Sequence, residues 1–304
     1  MCVLVASLVS VGLVGSVAEA ATRQYWVAAK PVTWNVVPNG HDAVTGQQFD
    51  PSTTVFPTVA YKRYTRGWRR PLRNSPVSSS DQDDIPGPLL RARVGDRVLV
   101  HFKNMDTTFD RPHSMHFHGV HYKPSSDGAF VPGFSGKDAD VKPGQTFTYR
   151  LRAGGDSVGV WPYHDHSPSM HESIEGGMYG ALSILGRHAQ RPDREFLVFF
   201  SATHDFQTVD ARAFVGNTPI FRARVGQLVQ WDVFGMGSEH HTFHVHGHRW
   251  RGPGGRFADT QTIGPAESFR FRWREDAPGT WLYHCHVEDH QMRGMIGLYR
   301  VSPR

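Results

Sequence analysis

The pentapeptide Arg91-Ala92-Arg93-Val94-Gly95 returns unchanged as Arg222-Ala223-Arg224-Val225-Gly226, and the residues after the first copy have counterparts after the second. Each copy leads into a segment whose apolar residues alternate, Val98, Val100 and Phe102 in one and Val229, Trp231 and Val233 in the other. That period of two belongs to half-buried strands. A His-x-His pair comes next in both, His116 and His118 or His244 and His246. Gln145-Thr146-Phe147-Thr148-Tyr149-Arg150 then parallels Glu267-Ser268-Phe269-Arg270-Phe271-Arg272, and Trp161-Pro162-Tyr163-His164-Asp165-His166 parallels Trp281-Leu282-Tyr283-His284-Cys285-His286. Correspondence this long marks a duplicated domain rather than a short solenoid repeat. The 304 residues suffice for two domains, and 31 Gly, 20 Pro and 12% aromatic residues suit turn-rich β structure. The sequence thus predicts an all-β chain of two Greek-key β-sandwich domains in tandem, at 21–190 and 191–304, with little helical periodicity.

Before the first domain, Cys2 to Val17 is apolar and ends in Ala18-Glu19-Ala20, a small-x-small pattern that suits cleavage after residue 20. The run is shorter than the ~20 residues of a spanning helix, although no Lys or Arg precedes it. Residues 1–20 are therefore expected to be a signal peptide. The remaining chain is expected to be secreted, or periplasmic or cell-surface, and free of the membrane. Cys285 is then the single cysteine left, so no internal disulfide can form and the thiol must serve chemistry or packing. Its two histidine neighbours favour chemistry. Of the 33 basic side chains, which exceed the 28 acidic ones to give a net charge of +5, six cluster as Lys62, Arg63, Arg66, Arg69, Arg70 and Arg73. Tyr61, Tyr64 and Trp68 interleave with them like a single-strand platform, but a solvated or intersubunit basic segment explains them equally, and no nucleic-acid partner is expected.

On a strand, His284 and His286 point one way and Cys285 the other, so one strand would feed two metal sites. Toward the sulfur, the expected set is Cys285 as thiolate, His241 and His290 as imidazoles and Met295 as a long axial thioether, the donors of a trigonal electron-transfer copper. His241 lies an odd three residues from His244 and so faces the Cys285 side; Met292, the competing sulfur, reads as loop surface. In the first copy Asp165 replaces the cysteine, so that copy cannot build such a centre, and His113 and Met178 look like remnants. Asp165 is expected to orient a neighbouring imidazole. The other eight histidines form four same-face pairs, too many for one zinc but suited to three coppers held by two, three and three nitrogens.

The motifs HFHG, YHDH, HTFHVHGH and HCHVEDHQMRGM resemble those of multicopper oxidases, and specifically the two-domain bacterial or small laccases, over roughly Tyr25 to Val301. With the thiolate only in the second cupredoxin, the chain resembles the subgroup whose blue copper lies in domain two. The resemblance implies four coppers per subunit, one type 1, one type 2 and two type 3. It implies that His116 and His244 hold type 2, that His118, His164 and His286 hold one type 3 ion, and that His166, His246 and His284 hold the other. It also implies a homotrimer with trinuclear clusters between subunits, and a head-to-tail ring would give each half a partner. Asp127 resembles the family's acidic proton donor, with an ordinary turn residue as the alternative, and Tyr122 matches an oxidisable tyrosine near the cluster. The implied reaction is that of a laccase: four one-electron oxidations of phenols or aromatic amines coupled to reduction of dioxygen to two waters. Two rivals are a copper nitrite reductase, with its blue site in the first domain, and a copper-binding electron-transfer protein without turnover.

Overall fold

The computed structural model describes residues 20–74 and 84–304. The apolar run and, Ala20 apart, the expected processing site lie outside the described residues. The alternating segments become strands where their period places them. Arg97–Asn104 buries Val98, Val100 and Phe102 completely, and Leu228–Gly235 does the same with Val229, Trp231 and Val233.

The same sandwich is built twice. In the first unit Thr22–Asn35 runs parallel to Arg97–Asn104, which pairs antiparallel with Thr146–Arg152; Arg194–Thr203, Leu228–Gly235 and Ser268–Arg274 repeat that arrangement in the second. The opposing sheet runs Leu90–Arg93, Tyr179–Leu185, Gly159–His164, His116–Phe117 in one unit. Its counterpart runs Ile220–Arg224, Ile296–Ser302, Gly279–Cys285, His241–Val245. The chain crosses repeatedly between the two sheets, as Greek-key connections do. Short helices also form, among them Met170–Glu175 and Glu288–Met292 at matching places before the last strand. Each is under two turns, too short for a 3.6-residue period to show in the sequence.

Each unit has its own core, Tyr149, Phe117, Tyr163 and Leu182 in the first and Trp231, Phe243, Phe271 and Tyr283 in the second. A third apolar cluster, including Trp34, Tyr179, Phe199 and Phe234, fills the seam between them. Burial at about 25 cal/mol per Å² of apolar surface makes that seam cohesive rather than a loose linker. Polar groups fix its register: Trp34 Nε1 donates to the Ala211 carbonyl at 2.7 Å, and Arg270 bridges Asp232 of its own unit (2.8 Å) to Ser183 Oγ of the other (2.7 Å). Gln230 and Asp232 are therefore buried on the face that in the first copy is only half-buried at Leu99 and His101.

The glycine closing each His-x-His-Gly has a steric cause. Gly119 and Gly247 sit at φ +68° and +70°, and a Cβ would come within 1.9 Å of Trp161 or 2.7 Å of Trp281. The tight turn lets each histidine strand end against the tryptophan of the next histidine strand.

Candidate metal centres

In the second unit His241 and Cys285 lie on neighbouring strands and His290 on the short helix Glu288–Met292 just beyond them. The His241 and His290 Nδ1 atoms stand 3.2 Å apart, and Cys285 Sγ lies 3.6 Å from His290 Nδ1. All three donors fall within 4.8 Å of one another. Met295 is buried beside them, and its carbonyl accepts the Cys285 N–H at 3.1 Å; Met292 is exposed. Thr242 N–H donates to the sulfur at 3.3 Å. Burial, then the proximity of His290, holds His241 down at about 3, while burial pushes the Cys285 thiol up. An imidazole that resists protonation and a thiol that resists ionisation, set this close together, fit a divalent metal, whose charge would stabilise the thiolate.

On the opposite face, His244, His246, His284 and His286 form a quartet with ring centroids 5.2 to 5.5 Å apart. His244 Nδ1 donates to the Asp259 carbonyl (2.7 Å) and His284 Nδ1 to the Cys285 carbonyl (2.8 Å). The His246 and His284 Nε2 atoms stand 3.1 Å apart. Two ring nitrogens this close cannot both carry hydrogens, so at least one lone pair faces the gap. The first unit repeats the pattern: His116 Nδ1 donates to the Asp127 carbonyl (2.7 Å), His164 Nδ1 to the Asp165 carbonyl (2.9 Å), and His118 Nε2 lies 3.1 Å from His164 Nε2. His166 completes that quartet, 5.3 Å from His116 and 5.7 Å from His164 by ring centroid. Burial brings His118 to about 3 and both His164 and His284 to about 4, with neighbouring histidines adding to the shift. Imidazoles aimed by main-chain acceptors, with lone pairs converging on one gap, are what a copper cluster requires, and the residues fit it.

The structure thus brings the twelve expected residues into three local groups, one around Cys285 and one histidine quartet in each unit. Among the described residues, no ring contact or hydrogen bond joins a histidine of one quartet to a histidine of the other. Within one chain the eight histidines form two half-sites.

Where the second unit has its sulfur pocket, the first has a buried charge cluster. Asp165 Oδ2 lies 3.2 Å from His113 Nδ1, and His113 Nε2 lies 3.2 Å from Asp106 Oδ2, with all three side chains fully buried. Ser114 N–H and Ser167 Oγ–H also donate to Asp165, at 2.7 and 2.8 Å. Burial alone would raise Asp165, but the His113 contact and Ser114 N–H bring it below the usual carboxylate range. Main-chain pairing fixes the correspondence: Asp165 N–H to Met178 O and Met178 N–H to Ser173 O repeat Cys285 to Met295 and Met295 to His290. Ser173 thus stands where His290 does, and Met178, also buried, where Met295 does.

Asp127 Oδ1 lies 3.5 Å from His116 Nδ1, and the Tyr122 and His116 ring centroids are 6.3 Å apart. Burial, the charge of Asp127 and a hydrogen bond with it push Tyr122 up to about 12. In the basic segment Tyr61 is fully buried and Tyr64 nearly so, which removes two of its three aromatic rings as stacking surface.

Several functional neighbours escape sequence reasoning. His248 donates from Nδ1 to the His246 carbonyl (2.7 Å) and from Nε2 to Glu275 (3.0 Å), while Tyr299 Oη and Trp273 Nε1 also donate to Glu275. The signal available was a third histidine at the same two-residue step, His244, His246, His248. Asp106 and Glu239, which lies 3.5 Å from His290 Nε2, had no such signal.

Two multicopper oxidase family models match the chain, one over 73–189 and the other over 189–304. Ferroxidase HEPHL1 of Mus musculus is 30% identical over 99% of this chain, of which it is the longer relative: the chain spans only 31% of its length. The blue copper oxidase from Nitrosomonas europaea superposes with a TM-score of 0.68 at 22% identity, covering 93% of this chain and 86% of that one. The copper nitrite reductase from Nitrosomonas europaea gives 0.69 at 19% identity, covering 92% and 94%. These likenesses show the fold, all-β and cupredoxin-like.

Proposed function

The chain belongs to the multicopper oxidase family, and we propose that it is a laccase-type enzyme coupling four one-electron oxidations of phenols or aromatic amines to the reduction of dioxygen to two waters. The observation that carries this reading is the coexistence of one Cys-His-His-Met pocket with a histidine half-site on the other face of the same strand and an equivalent half-site in the first unit. Residues 21–190 and 191–304 are read as its two domains, with 1–20 removed on export. Cys285, His241, His290 and Met295 would hold type 1 copper; His116 and His244 type 2; His118, His164 and His286 one type 3 ion, and His166, His246 and His284 the other. When bound, copper supplies one-electron acceptance beside the sulfur and the activation of dioxygen between the histidines.

The chain's own residues do the rest. The Asp127, Asp165, Asp259 and Cys285 carbonyls fix four imidazole rings and leave their Nε2 atoms to the cluster. Cys285 sits between the two histidines that face the opposite way, so the sulfur pocket and the cluster share one covalent path. Asp127 holds a proton acceptor beside His116, and Tyr122 keeps its own proton next to it. Because the half-sites do not meet within a chain, we take the assembly to be a head-to-tail homotrimer in which each first domain faces a neighbour's second.

Ferrous iron is a second reading, favoured by the half-exposed Glu239 carboxylate beside His290 Nε2. The nitrite-reductase alternative needs the blue site in the first unit, where Asp165 and Ser173 stand instead. Copper-loaded protein should consume oxygen with a phenol, and sedimentation should give three chains. No oxygen uptake with either phenol or ferrous iron would sink the enzyme reading. Loss of iron oxidation alone in Glu239→Gln would identify iron as a substrate in addition.

A further inference from the structure

Away from the redox centres, two cavities of about 540 and 620 Å³ adjoin on the second unit and share Arg194 and Arg222. The first opens at the seam, where Arg91 and Leu185 of the first unit meet Phe196 and Phe221 of the second; the other continues past Arg224 and Arg300. Arg222 and Arg300 are direct partners on adjacent parallel strands. Like charges side by side on neighbouring strands repel, a cost that an outside anion would relieve. Arg194, Arg222, Arg224 and Arg300 are all exposed, and among the described residues none has a carboxylate within ion-pair distance. Of the two acids lining the seam cavity, Glu195 is paired with Arg91 at 2.6 Å and accepts Gln230 at 2.9 Å, whereas Asp193 accepts only the Leu228 N–H at 2.7 Å and keeps its charge. Among the described residues the second cavity has no acid in its lining, so the stretch open to an outside anion is the one past Arg222, Arg224 and Arg300.

We propose that this groove binds a linear acidic polysaccharide, one that carries carboxylate or sulfate groups at intervals along a flexible chain. Strand geometry sets the interval. Arg222 and Arg300 lie one strand spacing apart, about 4.8 Å, and Arg222 and Arg224 one pleat repeat apart, about 6.6 Å. Duplex nucleic acid is charged more densely, roughly one phosphate per 1.7 Å of axis. Single strands need exposed rings to stack on, whereas Phe196 and Phe221, the aromatic lining, are each 3% exposed. The groove would hold the protein on an acidic matrix and leave both metal faces to their own chemistry.

Polygalacturonate titrated into the full-length chain, followed by anisotropy of a labelled polymer across a salt series, tests the assignment. Arg222→Gln with Arg300→Gln should weaken binding roughly tenfold or more and flatten the log affinity against log salt slope by about two, one for each cation removed. Arg222→Lys with Arg300→Lys should restore most of the affinity, which separates lost charge from a damaged fold. Arg66→Gln with Arg70→Gln, on the other basic segment, should change little. Unaltered binding by the first pair, an equal loss in the Arg66 and Arg70 pair, or tighter binding of a single-stranded oligonucleotide than of polygalacturonate would overturn the proposal.

Discussion

Asp165 and Cys285 occupy the same place in two copies of one sandwich, each with its N–H on the carbonyl of a buried methionine and its side chain accepting the matching N–H of Ser114 or Thr242, yet the pockets they face differ in chemistry. The second pocket keeps soft donors and no internal charge. The first has turned the same space into an ion cluster, Asp106–His113–Asp165, closed by Ser114 and Ser167. On the far side of that strand, however, the two units remain alike to within 0.1 Å in the ring-to-carbonyl distances. A duplicated scaffold can therefore lose one metal pocket without disturbing the imidazoles at its back.

The comparison is broken most severely by Cys285→Ser. That change should remove the visible charge-transfer colour and lower turnover by about three orders of magnitude or more, since no other soft anionic donor lies in the pocket. The reverse change, Asp165→Cys, should give no blue centre, because Ser173 stands where His290 is needed; colour in metal-loaded Asp165→Cys would refute the correspondence. Next in size is Asp165→Ala. It leaves the Ser114 N–H and the Ser167 hydroxyl without their acceptor in a fully buried site, while His113 keeps Asp106, and should cost about 1–3 kcal/mol per unpaired donor in chemical denaturation. Asp127→Asn should slow oxygen turnover about 100-fold or more with the colour kept, as expected for a lost proton-transfer group. Asp259→Asn, at the matching position, should leave the rate nearly intact because Trp250 replaces Tyr122 there; equal slowing by both would deny the first unit its special role.

The smallest expected effect concerns a network that only the second unit has. His248, Glu275 and Tyr299 replace Val120, Ala153 and Leu182, and Glu275 N–H and O make the same main-chain bonds as Ala153. Burial would raise Glu275, but His248 and Tyr299 bring it down to about 2. A depressed carboxyl stabilises the fold fully above its unfolded value near 4.5 and loses that contribution as pH falls toward 2. Glu275→Gln should accordingly lower stability by about 1–3 kcal/mol at neutral pH, with the deficit shrinking in acid, where denaturation midpoints of the two proteins should converge. A deficit that stays constant from neutral pH to 2 would rule out the ionic account.

Much of this was legible in the residues because the signals are local. A period of two places Val98 and Trp231 in cores, and an odd spacing turns His241 toward Cys285. The duplication multiplies each signal and exposes the substitution at 165, whereas Ser173 in the place of His290 emerges only from the main-chain pairing. Contacts set by tertiary folding were not legible. Asp106 reaches His113 only through a loop, Arg91 finds Glu195 more than a hundred residues on, and Arg270 links Asp232 to Ser183 across the seam. Nor could spacing tell that the two histidine quartets stay apart within one chain, since that depends on how the sandwiches dock.

The acceptors that aim His116, His164, His244 and His284 are peptide oxygens. No single codon change can delete them. The aim of the rings is thereby independent of the side chain carried at each acceptor: His164 and His284 are held alike over an acid and over a thiol, so the chemistry in front of the strand can change while the imidazoles behind it keep their orientation.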